Sequence, residues 1–108
     1  MHHRPERLGK LIREELSAII LRELEFAGAV VTLADVVVTD KLDHARVKIS
    51  VWPSEMSREA LKTLQDARRD LQYRLMKKIR IRTLPRIDFE IDHGTENAAA
   101  VEKALLNE

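Results

Sequence analysis

The chain has 108 residues, of which 44% are hydrophobic and 34% are charged, so its length suits a single globular domain and its composition is not that of a disordered polypeptide. It contains no cysteine, which excludes disulfides, thiol nucleophiles and cysteine-based metal centres, and no apolar stretch approaches the ~18 residues of a membrane span. The net charge of +1 hides a segregation that favours a polyanionic partner, because residues 58–86 hold ten basic against three acidic residues and residues 87–108 hold one against six.

The first predicted element is an amphipathic helix from about residue 5 to residue 26. Its apolar residues recur at spacings of three and four, which places them on one helical face: Leu8, Leu11, Ile12, Leu16, Ile19, Ile20 and Leu24. Pro5 suits the first turn of a helix, and Gly28 can adopt the left-handed conformation that ends one. The N-terminal stretch lacks the apolar run of a secretory signal, so we expect a cytoplasmic protein.

Two β-strands are predicted next, over residues 30–40 and 45–52. Both stretches are rich in β-branched residues, and the second alternates Val47, Ile49 and Val51 with polar side chains. The polar connection at 39–44 is short enough for a hairpin, so we expect an antiparallel pair with one face covered. Trp52 closes the second strand, where we expect a core or sheet-edge residue rather than a stacking platform.

A helical pattern begins after Pro53, with Ser54 or Ser57 as the candidate cap, and continues to about Arg82. One face of this pattern is apolar but is interrupted by Arg68, since the residues that share it are Leu61, Leu64, Leu71, Leu75 and Ile79. A break near residues 66–70 would remove the conflict. The alternative is an unbroken helix from which Arg68 extends its charged end to water.

The opposite face of this helical region carries the candidate functional site. Five residues project together there and form what we call the basic stripe: Lys62, Arg69, Tyr73, Lys77 and Arg80. Cationic side chains neutralise phosphates and release counterions, and a tyrosine can stack on an unpaired base. The pattern predicts an RNA-binding surface made of the stripe together with nearby cations, namely Arg68, Arg74, Lys78 and Arg82. The alternative is a solvated helix face in which Asp66 and Asp70 pair with Arg69 and Arg74.

A third strand is predicted at 86–91, because Ile87, Phe89 and Ile91 alternate with the acidic residues Asp88 and Glu90. These acids and Asp92 are expected to limit edge pairing rather than to bind metal. A turn at His93 and Gly94, with Thr95 as a cap, precedes a short predicted C-terminal helix defined by Ala98, Val101, Ala104 and Leu105. The whole order predicts one two-layer α+β domain spanning residues 1–108, with a three-stranded sheet and helices on one of its faces.

Two other groups of residues could carry chemistry, but neither predicts a site. His2 and His3 are neighbours at a chain terminus, where adjacent histidines are usually incidental. Asp40, Asp43 and His44 fall in the predicted hairpin turn, where aspartate is common, and no partnered nucleophile or phosphate-binding glycine loop accompanies them. We therefore expect no catalysis, no metal and no cofactor.

The α-β-β-α-α-β order is that of the type II KH domain, a fold that binds single-stranded RNA and usually grips its backbone with a GXXG loop. This chain has no GXXG and reads Asp66-Ala67-Arg68-Arg69-Asp70 at the predicted break. It thereby resembles the ribosome-binding factor A family, cytoplasmic bacterial proteins in which a helical kink, typically Ala-x-Gly, replaces that loop. The matching stretches are residues 40–51, residues 71–92, the AlaLeuLeu at 104–106 and the N-terminal RPERLGKLIREELSAII.

The chain departs from the family pattern in two places: Arg69 stands where the family usually has glycine, and residues 25–29 lack an Asp-Pro-Arg type sequence. The resemblance implies a KH-like monomer that binds the 30S ribosomal subunit through 16S rRNA during late assembly and rRNA processing. It implies no catalysis, no small-molecule substrate and no membrane. The alternative is a protein-protein adaptor that uses its amphipathic terminal helices while the basic stripe is merely solvated.

Overall fold

The computed structural model describes residues 3–93. The elements are α1 (Arg4–Glu23), β1 (Val30–Val38), β2 (His44–Trp52), a short 3-10 turn (Ser54–Met56), α2 (Ser57–Asp66), α3 (Arg68–Lys78) and β3 (Arg86–Ile91). The predicted C-terminal helix at Ala98, Val101, Ala104 and Leu105 lies outside the described residues. Within residues 3–93, no helix is long and apolar enough to cross a membrane.

The three strands form one mixed sheet in the order β1-β2-β3. β1 and β2 are antiparallel, from Val30 opposite Trp52 to Val38 opposite Ala45, which confirms the predicted hairpin. β3 runs parallel to β2, with Ile87 opposite Ala45 and Ile91 opposite Ile49. A parallel pair needs a long crossover, and α2 and α3 supply it.

The helices cover one face of the sheet, as predicted. Inward-facing residues of all three strands are buried against the apolar faces of the helices, whereas the alternate residues face outward. The fully buried residues come from both layers, namely Ile12, Leu16, Ala45, Val47, Ile49, Leu64, Leu71, Leu75 and Ile87. The predicted two-layer α+β architecture is therefore confirmed.

Close packing of α1 on β1 depends on a glycine. A Cβ atom at Gly9 would lie 2.7 Å from the carbonyl oxygen of Val36, so only glycine lets the two backbones approach this closely. The β1 register shifts between Leu33 and Asp35, and the Asp35 carboxylate accepts a hydrogen bond from the Val36 N–H at 2.9 Å. This irregularity and its side-chain hydrogen bond interrupt the outer edge of the sheet.

The helix boundaries differ from the predicted ones. α1 ends at Glu23 rather than near residue 26, because Leu24 is already extended. Gly28 does adopt a positive φ of 73°, but in the turn that follows the helix. α3 ends at Lys78 rather than at Arg82, because Ile79 turns to an extended conformation while its side chain stays buried.

One further expectation about this region was wrong, and another was wrong in part. Neither Ser54 nor Ser57 caps a helix with its side chain, since the 3-10 turn leads directly into α2. Trp52 is not a core residue, because 74% of it is exposed, but it does lie at the margin of the sheet, where it pairs with Val30 of β1 beyond the last residue pair between β2 and β3. It follows the outward alternation of β2, in which Val51 faces the core and its neighbours face water.

Candidate nucleic-acid interface

The predicted break in the long helical pattern lies at Ala67, between α2 and α3. Ala67 has φ −89° and ψ 0°, a right-handed conformation that any residue adopts. Its N–H still donates to Thr63 O at 3.1 Å, and its carbonyl accepts from the Leu71 N–H at 2.9 Å. Because the bend needs no positive φ, Arg69 is tolerated where the family usually has glycine. The break also leaves Arg68 half-buried rather than in the middle of the core.

Gln72 anchors α3 to the sheet, and sequence reasoning missed it. Its Nε2 donates to the Pro85 carbonyl at 2.9 Å, while its Oε1 accepts from the Ile87 N–H at 2.8 Å. Leu71 and Leu75 are fully buried on either side of this bridge. The outer face of α3 is therefore held in a fixed orientation at the start of β3. No sequence pattern marks a helical glutamine for this role.

The central part of the basic stripe lies on one exposed face of α3. Arg69, Tyr73 and Lys77 follow one another at four-residue spacing, which places them side by side. Tyr73 is 55% exposed, and the Lys77 Nζ lies 4.5 Å from the centre of its ring. This is a cation–π contact, and it holds a positive charge next to an accessible aromatic ring.

Two predicted site residues are engaged in ion pairs. Lys62 contacts Asp66 at 2.8 Å, and this hydrogen bond raises the pKa of Lys62. Arg74 contacts Asp70 at 2.8 Å and Glu23 of α1 at 3.1 Å, and the bond to Asp70 raises the pKa of Arg74. For these two cations the solvated-face alternative describes the geometry in part. Arg74 does pair with Asp70, but Asp66 pairs with Lys62 and not with Arg69.

The other predicted cations are not neutralised within the described part of the chain. Among residues 3–93, no carboxylate forms an ion pair with any of Arg68, Arg69, Lys77, Lys78, Arg80 or Arg82. Arg80 and Arg82 lie beyond the end of α3, in the segment that leads to β3, so helical spacing does not place Arg80 on the face of Tyr73 and Lys77. All six except Arg68 are exposed. Within residues 3–93, the structure therefore presents a group of cations without ion pairs along α3 and the segment after it.

On the open face of the sheet, basic and acidic residues form ion pairs with each other. The Arg46 guanidinium donates two hydrogen bonds to the Glu90 carboxylate, at 2.7 and 3.2 Å, and this contact lowers the pKa of Glu90. Asp88 lies 3.9 Å from His44 and 3.6 Å from Arg86. Arg46 and Arg86 of this face are therefore paired, the first across strands and the second within β3.

The remaining candidate groups are the hairpin residue Asp43 and the N-terminal histidines. Asp43 accepts a hydrogen bond from the Thr39 hydroxyl, which lowers the pKa of Asp43 and ties it to the hairpin. His3 lies 4.0 Å from Glu6, and His2 is outside the described residues. Between residues 3 and 93, no three histidine, aspartate or glutamate side chains are grouped as metal ligands.

Fold and site together define a class: a two-layer α+β domain of the KH-like order that carries uncompensated cations on one helix and lacks the GXXG loop. A family model described as "Ribosome-binding factor A" matches residues 4–105. Curated proteins of that name are similar over 97% of this chain and 91% of their own length. The protein from Pelodictyon phaeoclathratiforme is 35% identical to this chain, and the protein from Chlorobium limicola is 37% identical to it. The chain belongs to the ribosome-binding factor A family.

Solved structures of that family have the same fold. The crystal structure of ribosome-binding factor A from Thermus thermophilus is similar with a TM-score of 0.68 and 24% identity, covering 81% of this chain and 94% of that one. A homology model of the Thermus thermophilus factor, fitted into the cryo-EM map of a 30S complex, is similar with a TM-score of 0.66 and 25% identity. That similarity covers 88% of this chain and 98% of the other.

Proposed function

We propose that this protein binds the small ribosomal subunit of its bacterial cell through 16S rRNA and acts there during late assembly and rRNA processing. The observation that carries the proposal is the row of uncompensated cations on α3 and the segment after it. Family membership and the fit of a relative into a 30S complex support the choice of partner. We propose a cytoplasmic monomer of one domain that works by occupying its site and catalyses no reaction.

The physical basis is the release of counterions from RNA. Each cation that meets a phosphate displaces condensed ions, and binding weakens as salt rises in proportion to the number of such contacts. A cation already paired with a carboxylate contributes less, because its pair must first be broken. Arg69, Lys77, Lys78, Arg80 and Arg82 are thus the principal phosphate contacts, with Arg68 beside them at the kink. Tyr73 is the candidate for stacking on an unpaired base.

Lys77 and Lys78 also lie in the last turn of α3, where positive charge stabilises a helix by about 0.3–1 kcal/mol. That role accounts for positive charge at the helix end but not for Arg69, Arg80 or Arg82, which are outside the last turn. The adaptor alternative loses most of its first surface, because Ile12, Leu16, Ile19 and Ile20 of α1 are at most 4% exposed. Leu11 and Leu21 remain the exposed apolar residues of this helix.

The test is sedimentation of the protein with purified 30S subunits over a series of salt concentrations. The double variant Lys77→Glu with Arg80→Glu should bind more weakly and show a flatter salt dependence than the wild type, with unchanged circular dichroism. The control Lys10→Glu with Arg13→Glu makes the same change in net charge beside the groove between α1 and β1. We expect it to bind nearly as the wild type does. Equal loss in both variants would mean that only net charge matters and would refute this assignment of the site.

A further inference from the structure

A groove lies where the start of α1, the β1–β2 hairpin and the segment after α3 meet. It has a volume of about 740 Å³. Its floor is aliphatic and consists of Leu8, Leu11, Leu42 and Ile81. Leu11 and Ile81 are 40% and 43% exposed, so the floor offers accessible aliphatic surface to a ligand. We call this site the hairpin groove.

Four cations surround the hairpin groove: Arg4, Arg7, Lys41 and Arg82. None of the four forms an ion pair with a carboxylate of residues 3–93. The one acid in the lining is Asp43, whose carboxylate already accepts the Thr39 hydroxyl. The rim is therefore strongly positive around an apolar floor.

The hairpin keeps Leu42 in the groove at a conformational cost. Leu42 has a φ of +60°, a left-handed conformation that asparagine or glycine adopts far more readily than leucine. Its N–H donates to Thr39 O at 2.9 Å and so closes the turn. A branched apolar residue at such a position adds aliphatic surface to the groove floor at the expense of backbone strain.

We infer that the hairpin groove binds an unpaired strand of RNA, with base faces against the aliphatic floor and phosphates on the four cations of the rim. The inference rests on the proposed function, since it extends the same RNA surface around the molecule. Base faces are accessible only in unpaired nucleotides, because a duplex buries them in its own stack. The aliphatic floor has no hydrogen-bonding group for base edges, so this apolar contact does not select a sequence.

Closeness to α3 favours RNA over an acidic protein segment. Arg82 lines the hairpin groove and comes two residues after Arg80 in the segment that follows α3, so a phosphate chain bound at the end of α3 has a cation of the groove within reach. Another apolar groove, with a volume of about 540 Å³, lies between the end of α1 and β1. Its lining includes Leu21 and Val30 but only one cation, Arg13. That groove lacks the charge complementarity to a polyanion and provides a matched control.

The probes are a fluorescent 12-nucleotide single strand of mixed sequence and a 12-base-pair RNA hairpin, titrated with the full-length protein. Leu11→Gln with Ile81→Gln should weaken binding of the single strand about tenfold and binding of the hairpin by less than about twofold. Leu21→Gln with Val30→Gln should leave both affinities unchanged. Arg7→Ala with Arg82→Ala should lower the salt slope for the single strand by about 1.4, as two lost phosphate contacts predict.

Three results would overturn the inference. The Leu11→Gln with Ile81→Gln variant could bind the single strand as tightly as the wild type does, it could lose the same factor of affinity for the single strand and for the RNA hairpin, or the wild type could fail to bind the single strand. If the wild type nevertheless follows 30S subunits in sedimentation, the proposed function stands and only the groove assignment fails. A photoreactive benzophenone side chain in place of Leu11, irradiated on 30S subunits, should label rRNA. Labelling of ribosomal protein alone would assign the groove to a protein segment and also overturn the inference.

Discussion

The outer side of α3 and the open face of the sheet both carry arginine and lysine, but they differ in how many of these cations are paired. On the sheet, Arg46 of β2 pairs with Glu90 of β3 and Arg86 pairs with Asp88 within β3, which leaves Lys48 without an ion pair to residues 3–93. In α3, Arg74 is the one basic residue with an ion pair to residues 3–93. Along α3 and the segment after it, Arg69, Lys77 and Arg80 have no acidic partner among residues 3–93.

This difference shows why a count of basic residues is a poor guide to a binding surface. Exposed ion pairs contribute at most about 1 kcal/mol to stability, and they remove both charges from the field that an approaching polyanion meets. Cations without partners raise that field and can exchange water and counterions for phosphate. The pairing pattern therefore separates a surface built for the fold from a surface available to a ligand.

The largest effect is expected where α3 is fastened to the sheet. Gln72→Ala removes two hydrogen bonds and leaves the part-buried Ile87 N–H without its acceptor, so it should lower the free energy of unfolding by about 1–3 kcal/mol. Urea denaturation followed by circular dichroism measures the change. If the variant is as stable as the wild type, the anchor that orients the cationic face is not Gln72.

The matched control is Gln65→Ala on α2. Gln65 is exposed and makes no side-chain hydrogen bond within the described residues, so its replacement should change stability by no more than about 0.5 kcal/mol. If both variants lose a similar free energy of unfolding, the cause is helix propensity and not the two hydrogen bonds of Gln72.

A smaller effect concerns the paired face and pH. Because Arg46 lowers the pKa of Glu90 below its ordinary value near 4.5, the pair stabilises the fold above that pH and loses its contribution as pH falls through the lowered pKa. Glu90→Gln should therefore be slightly less stable at pH 7, by less than about 1 kcal/mol because the pair is largely exposed, and should lose less stability on acidification. Arg46→Ala should flatten the same acidic limb in thermal melts from pH 7 to pH 3. An unchanged acidic limb in both variants would show that the pair contributes nothing.

Alternation and spacing predicted most of the fold. β3 was predicted at its observed bounds, and the conflict between Arg68 and an otherwise apolar face located the break within residues 66–70. The end of α3 was missed because Ile79 is buried both in a continued helix and in the extended segment that replaces it. Apolar periodicity cannot distinguish these cases. The outward position of Trp52 was available from the strand pattern, since it is in phase with Arg46, Lys48 and Ser50.

The site was predictable as a list of residue types but not as a set of charge states. Helical spacing placed Arg69, Tyr73 and Lys77 together. It could not show that Lys62 is paired with Asp66, nor that Arg74 is shared between Asp70 and Glu23 on another helix. The hairpin groove was invisible as well, because it joins three segments that are distant in sequence. Such features depend on tertiary packing, which local patterns do not specify.

The salt dependence of 30S binding decides whether rRNA meets the cations of α3 and the segment after it, and not the paired arginine of the sheet face. Lys77→Ala should lower the slope of log affinity against log salt by about 0.7–0.9, the value for one lost phosphate contact. Arg46→Ala should leave the slope unchanged, because Arg46 is paired with Glu90 on the other face. If Arg46→Ala lowers the slope as much as Lys77→Ala, or if neither variant changes it, the assignment of rRNA binding to the cations of α3 is wrong.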